Sequence, residues 1–166
     1  PSHEKTTFNM KESIEKILSI IDHTIRYNHI EIIIEVEKNS NLLIYGYKNE
    51  FMQSLLNIIN NAKDQILKEK GSNKTLKGVI KITLFNQNSS LFLTIEDNGG
   101  GISQANIEDI FNPYETTKPN GLGIGLYMTK MIIEDKMNGV IMAENTPSGA
   151  KFTIKLKVYH HEDSST

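Results

Sequence analysis

Asparagines and glycines carry the chemistry in this 166-residue sequence. Asn57 and Asn61 stand four residues apart, so on a helix they share one face, with Asp64 another turn along. Asn60 joins them, although asparagine at a helix interior costs up to about 0.7 kcal/mol relative to alanine. A side-chain carbonyl can hold Mg²⁺ while substrate phosphates supply the other oxygens, because Mg²⁺ takes few protein ligands. A solvated polar face would look the same. Asp97-Asn98-Gly99-Gly100-Gly101-Ile102 follows a strand pattern; its glycines permit positive φ and close approach of a flat ligand, and Asp97 could accept a hydrogen bond from an exocyclic amine such as adenine's. The same residues also suit a plain turn with Asp97 as its local acceptor.

A second glycine segment, Gly121-Leu122-Gly123-Ile124-Gly125-Leu126, opens a helix pattern, and unpaired N–H groups at a helix start favour phosphate. No Gly-Lys-Ser/Thr follows, so it is not a P-loop, and no strand precedes it as a dinucleotide fingerprint requires. Between the two segments, residues 111–120 read as a mobile lid whose Thr117 and Lys118 could reach phosphate oxygens. A solvated loop lysine is the plainer reading of Lys118.

Helices and strands must position these groups. Apolar spacing predicts helices over 10–28, 48–70 and 126–136, and a short helical piece over 105–111. Strands are predicted over 30–36, 41–45, 78–86, 91–96, 139–143 and 150–158, with turn residues at 87–90 and 146–149. Strands joined by short turns with helices between pairs make an α+β fold, a two-layer sandwich whose mixed sheet is covered on one face by helices.

The net charge of −2 gives no reason to expect nucleic acid, and the absence of cysteine excludes disulfides and thiolate metal sites. The longest apolar stretches, such as 30–36, are too short to cross a bilayer, and no signal-peptide pattern opens the chain. The expectation is a cytoplasmic domain with no membrane contact of its own. The polar ends, 1–7 and 160–166, read as frayed, and the chain as a piece of a larger protein.

Taken together, NIINNA (57–62), DNGGGI (97–102), IFNPYETTK (110–118) and GLGIGL (121–126) resemble the N, G1, F and G2 boxes of histidine-kinase catalytic domains, in a superfamily shared with DNA gyrase, the Hsp90 chaperones and MutL. The continuation at 127–139 and SGAKF (148–152) are similar to the family's usual ending. The resemblance implies the Bergerat-type sandwich, with ATP between the N-box helix and a mobile lid. It implies that Asn61 binds Mg²⁺ with Asn57 on the phosphate side, that Asp97 recognises the adenine amine beside Gly99, Gly101 and Ile102, and that Gly121, Gly123 and Gly125, with Leu122, Ile124 and Leu126, form the hinge and phosphate segment.

Two positions depart from the family. Asp64 stands where many relatives have a basic phosphate contact, and Leu122 where many have a hydroxyl. The ATP-hydrolysing branch uses a glutamate at the position of Asn57, and losing such a base costs typically about 10²–10⁴-fold, which favours phosphate transfer over hydrolysis. Neither His3 nor any other histidine sits in the helical setting of a phosphoacceptor. The implied partners are a histidine-bearing dimerisation domain and, indirectly, a response regulator receiver, with the isolated domain monomeric. The implied organisation is a linker remnant (1–8), an ATP-binding domain (9–158) and a polar tail (159–166). A degenerate kinase serving as a nucleotide-binding regulator and an anti-sigma-factor-type serine kinase share these motifs.

Overall fold

In a computed structural model, the structure describes residues 4–103, 107–113 and 125–161. Strand β1 (Thr6–Asn9) leads into α1 (Met10–Tyr27), β2 (Ile30–Val36), β3 (Leu43–Gly46) and α2 (Lys48–Ser72). The hairpin β4 (Gly78–Gln87) and β5 (Ser90–Asp97) follows, then a 3₁₀ turn (Ile107–Phe111). Helix α3 (Gly125–Lys130) runs into a π-helical segment (Met131–Lys136), and β6 (Val140–Asn145) and β7 (Ala150–Lys157) close the fold.

Five strands form one sheet in the order β2-β4-β5-β7-β6, parallel only between β2 and β4. This is the α+β mixed sheet that the sequence pattern calls for. Alternation along the strands sends Ile80, Ile82 and Leu84 of β4, Leu91, Leu93 and Ile95 of β5, and Phe152, Ile154 and Leu156 of β7 to one buried face. Helix α1 contributes Ile14, Ile17 and Ile25 to that core, and α2 contributes Phe51, Leu55, Ile58, Ile59, Ala62 and Ile66. Each of the larger of these side chains, fully buried, contributes on the order of 1.5–3 kcal/mol.

Local signals set the element ends. Asn9 caps α1, its side chain accepting from the Glu12 amide at 3.1 Å, and Arg26 in the last turn suits the helix dipole. Asn88 and Ser89 both have positive φ, the geometry of a two-residue hairpin turn between β4 and β5.

Four expectations need correction. Thr6 and Thr7 are not frayed chain: β1 pairs antiparallel with β3, and Phe8 is buried against Phe51 with ring centroids 5.6 Å apart. A polar TTFN segment hides one aromatic that earns its burial only through long-range pairing. The strand expected over 41–45 starts later because Asn41 is spent on tying β3 to its neighbours: its amide N–H donates to Asn86, and its side chain donates to the Tyr159 carbonyl at 3.0 Å. Tyr159, expected in the tail, is anchored in turn by its N–H to Leu43 at 2.8 Å. Finally, the helix expected over 126–136 is α only to Lys130 and π-helical beyond it, while the short helical piece expected over 105–111 forms as a 3₁₀ helix at Ile107–Phe111.

Candidate nucleotide site

Asp97 ends β5 with its side chain 3% exposed. Its Oδ1 accepts the Gly99 N–H at 2.8 Å, so the local turn expected of this residue forms. Burial pushes the carboxyl up from 3.8 to about 6; hydrogen bonds from the Gly99 and Ala150 amides pull it back, and the charge of Glu96 adds to the rise. The following loop is fastened on several sides. Asn98 accepts from the Val79 amide at 2.9 Å and donates to the Lys77 carbonyl at 2.7 Å, which holds it to the start of β4. Gly100 donates to the Ser148 carbonyl at 3.1 Å.

Glycine is required here for two different reasons. Gly100 and Gly101 have φ of +88° and +86°, which side chains rarely adopt. Gly99 lies against α2: a Cβ there would sit 2.6 Å from the Gln65 carbonyl carbon and 2.7 Å from the Ile66 nitrogen. A Cβ on Gly149, in the β6–β7 turn, would fall inside the Asp97 carbonyl.

At its other contact, α2 meets α3. The Asn57 amide donates to the Gly125 carbonyl at 3.3 Å and to Thr129 Oγ1 at 3.4 Å, while Thr129, wholly buried, donates to Gly125 at 2.8 Å. Asn61 lies midway on α2 between Asn57 and Gln65, four residues from each, or about 6 Å along the axis. It therefore faces the space between the start of α3 and the Asp97 loop. Asn57, Asn60 and Asn61 are half-buried rather than a freely solvated face. Asp64, a turn further, lies 3.6 Å from Lys63 Nζ. Ile102 and Leu126 pack on the core.

The structure thus brings together Asn57, Asn61, Asp97, Gly99 and Gly125 along the middle of α2. Thr117, Lys118, Gly121, Leu122, Gly123 and Ile124 lie outside the described residues.

Residues 46–160 match the family described as histidine kinase-, DNA gyrase B- and HSP90-like ATPase, well over half of the chain. The chain belongs to this family. Its relatives are sensor histidine kinases. It is 28% identical to sporulation kinase B of Bacillus subtilis (strain 168) over 93% of this chain and 34% of the relative. To the C4-dicarboxylate transport sensor protein DctB of Rhizobium meliloti (strain 1021) it is 35% identical over 68% of this chain and 17% of the relative. The chain thus spans about a third or less of these curated relatives. Among solved structures, the nucleotide-free catalytic domain of the histidine kinase ThkA superposes with a TM-score of 0.80 at 28% identity, covering 93% of this chain and 97% of that one. ThkA in complex with the response regulator TrrA gives 0.74 at 26% identity, over 93% of this chain and 42% of that one. The chain is an ATP-binding catalytic domain of the histidine-kinase type.

Several residues of this histidine-kinase-type site escaped the sequence motifs. Thr129 gave a weak signal, standing four residues after Gly125 on a helix. Gly149 was read only as a turn residue of 146–149 and part of the SGAKF segment, with no task at the site. Asn145 gave none: its side chain accepts from Ile102 N–H at 2.7 Å and donates to Ile102 C=O at 3.1 Å, across 43 positions of sequence. Among the described residues, no helix is long and apolar enough to cross a membrane.

Proposed function

We propose that the domain positions Mg-ATP for transfer of the γ-phosphate to a histidine on a separate dimerisation domain of its parent kinase, which then serves a response regulator receiver in two-component signalling. The observation that carries this reading is Asn57. It stands where a water-activating carboxylate would stand, and its amide is turned to Gly125 and Thr129. An amide cannot take a proton from water, so the chain offers no general base there. Transfer of a phosphoryl group needs positioning and charge neutralisation more than covalent help.

The residues fit the ligand. Asp97 is buried at the foot of a glycine loop, and with its carboxyl near 6 it is mostly ionised at pH 7, an acceptor for the adenine amine. Gly99, Gly101 and Ile102 shape that wall. Asn61 offers one neutral oxygen toward the space by α3, which suits Mg²⁺ bound chiefly through phosphate oxygens and water. The metal would supply charge neutralisation at the phosphates. Gly121, Leu122, Gly123, Ile124, Gly125 and Leu126 would supply backbone donors, with Thr117 and Lys118 closing from the lid. Asp64 supplies no cation, which leaves Lys118 that task.

The test is calorimetric titration of the domain with a non-hydrolysable ATP analogue, with and without Mg²⁺. Wild type is expected to bind with Mg²⁺, and Asn61→Ala to lose about tenfold or more of the Mg²⁺-dependent affinity. Wild type that binds no nucleotide overturns the assignment. Incubating labelled ATP with the domain and its separate dimerisation domain should then give an acid-labile, alkali-stable phosphohistidine. Binding without transfer would instead mark a regulator.

A further inference from the structure

Asn145 closes β6 at the edge of the sheet, paired in register with Ala150 of β7. Its carboxamide is aimed away from that ladder. Oδ1 accepts the Ile102 N–H at 2.7 Å and Nδ2 donates to the Ile102 carbonyl at 3.1 Å. The side chain thus gives Ile102 what a neighbouring strand would give it: one acceptor and one donor, both on the same residue. A Cβ on Gly101 would stand 3.0 Å from that Oδ1, so the carboxamide also crowds the residue before.

The loop from Asp97 to Ile102 has a weak link. Its first half is held by Asn98 on β4 and by Gly100 N–H on Ser148. Beyond that come Gly100 and Gly101, two consecutive glycines at positive φ. Glycine has no side chain to restrict it, so a pair of this kind loses much conformational entropy when it is fixed. Ile102 is where the segment becomes fixed again: its side chain packs on the core and Asn145 fixes its backbone.

We propose that Asn145 is a positioning residue for nucleotide binding: by clamping Ile102 it sets the shape of Gly100 and Gly101, and with it the wall beside the base. It touches no ligand itself and acts through the loop backbone. The proposal rests on the nucleotide-binding reading above. It places the loss on the base and not on the phosphates, which separates it from a general loss of fold.

The experiment compares wild type, Asn145→Ala, Asn145→Asp and Ile141→Val, the last a mild core lesion on the same strand. Affinity for the ATP and GTP non-hydrolysable analogues is measured with Mg²⁺, and hydrogen exchange at the Ile102 amide without nucleotide. Asn145→Ala should weaken the ATP analogue about tenfold, narrow the preference for ATP over GTP, and strip protection from Ile102. Asn145→Asp keeps the acceptor for Ile102 N–H but sets a carboxylate against its carbonyl, so it should fall between the two. Ile141→Val should leave preference and Ile102 protection unchanged. The proposal is overturned if Asn145→Ala binds the ATP analogue within about twofold of wild type. It is overturned equally if base preference survives, or if Ile141→Val reproduces the effect. Wild type that binds neither nucleotide overturns the functional reading and this proposal together, an outcome distinct from wild type and Asn145→Ala binding alike.

Discussion

The Asp97 carboxyl holds its proton up to about pH 6 because the end of β5 strips it of water, and two amide donors return only part of that loss. The folded state therefore binds this proton more tightly than the unfolded chain does. Its contribution to stability is full below the unfolded value of 3.8 and is lost as pH rises through about 6. Asp97→Asn keeps an oxygen for the Gly99 amide and removes the charge. It should stabilise the domain at pH 7.5 by on the order of 2–3 kcal/mol, with the advantage vanishing toward pH 4 in denaturant melts. The same change should abolish preference for adenine nucleotides, and wild-type affinity should fall as pH drops below 6, where the acceptor is lost. Two glycines make a sharper contrast. Gly149→Ala drives a methyl into the Asp97 carbonyl and should cost about 3 kcal/mol, whereas Gly71→Ala, in α2 with open space around it, should gain about 0.5–1 kcal/mol. The placement of Asp97 at a strand end and of Asn57 and Asn61 on one helix was legible in the sequence because their spacing in a helix or after a strand is itself the signal. Asn145 was not, because a carboxamide clamp 43 residues from its target leaves no periodic trace.

At the scale of elements, α1, β2, α2 and the β4–β5 hairpin could be read closely from apolar periodicity and turn residues. Short pieces held by distant partners could not. β1 has only four residues, three of them polar, and exists because β3 offers it a ladder and α2 offers Phe8 a ring to pack on. Phe8→Ala should therefore cost about 3–5 kcal/mol in chemical denaturation, while a true tail residue would cost nothing. The change from α to π geometry after Lys130 escaped the sequence for a related reason. Period-counting sees Ile132 and Ile133 as apolar, and both are buried while Glu134 accepts from the Ile141 amide, but that spacing does not separate α from π winding.

Across the whole molecule, among the described residues, the sheet has one face under helices and one without. On the second, a row of cross-strand neighbours runs Lys81, Glu96, Lys151, Glu144 in alternating sign, so this face balances its own charge. A ligand that binds only the folded form should raise stability by about 2.7 kcal/mol at a hundredfold excess over its dissociation constant; a thermal-shift series with Mg-ATP analogue, in which Asn61→Ala gains about half of that or less at the same concentration, checks that. The parallel pairing of β2 with β4 has a consequence in time. Its two strands are separated by all of β3 and α2, and closing so long a loop pays its entropy before any contact repays it. The hairpins β4–β5 and β6–β7 are local and can form early, carrying Asp97 and Asn145 with them. The wall made by α2 arrives only when the long crossover docks. During refolding, capture of a fluorescent nucleotide should therefore lag behind strand formation, making binding the last property this chain acquires.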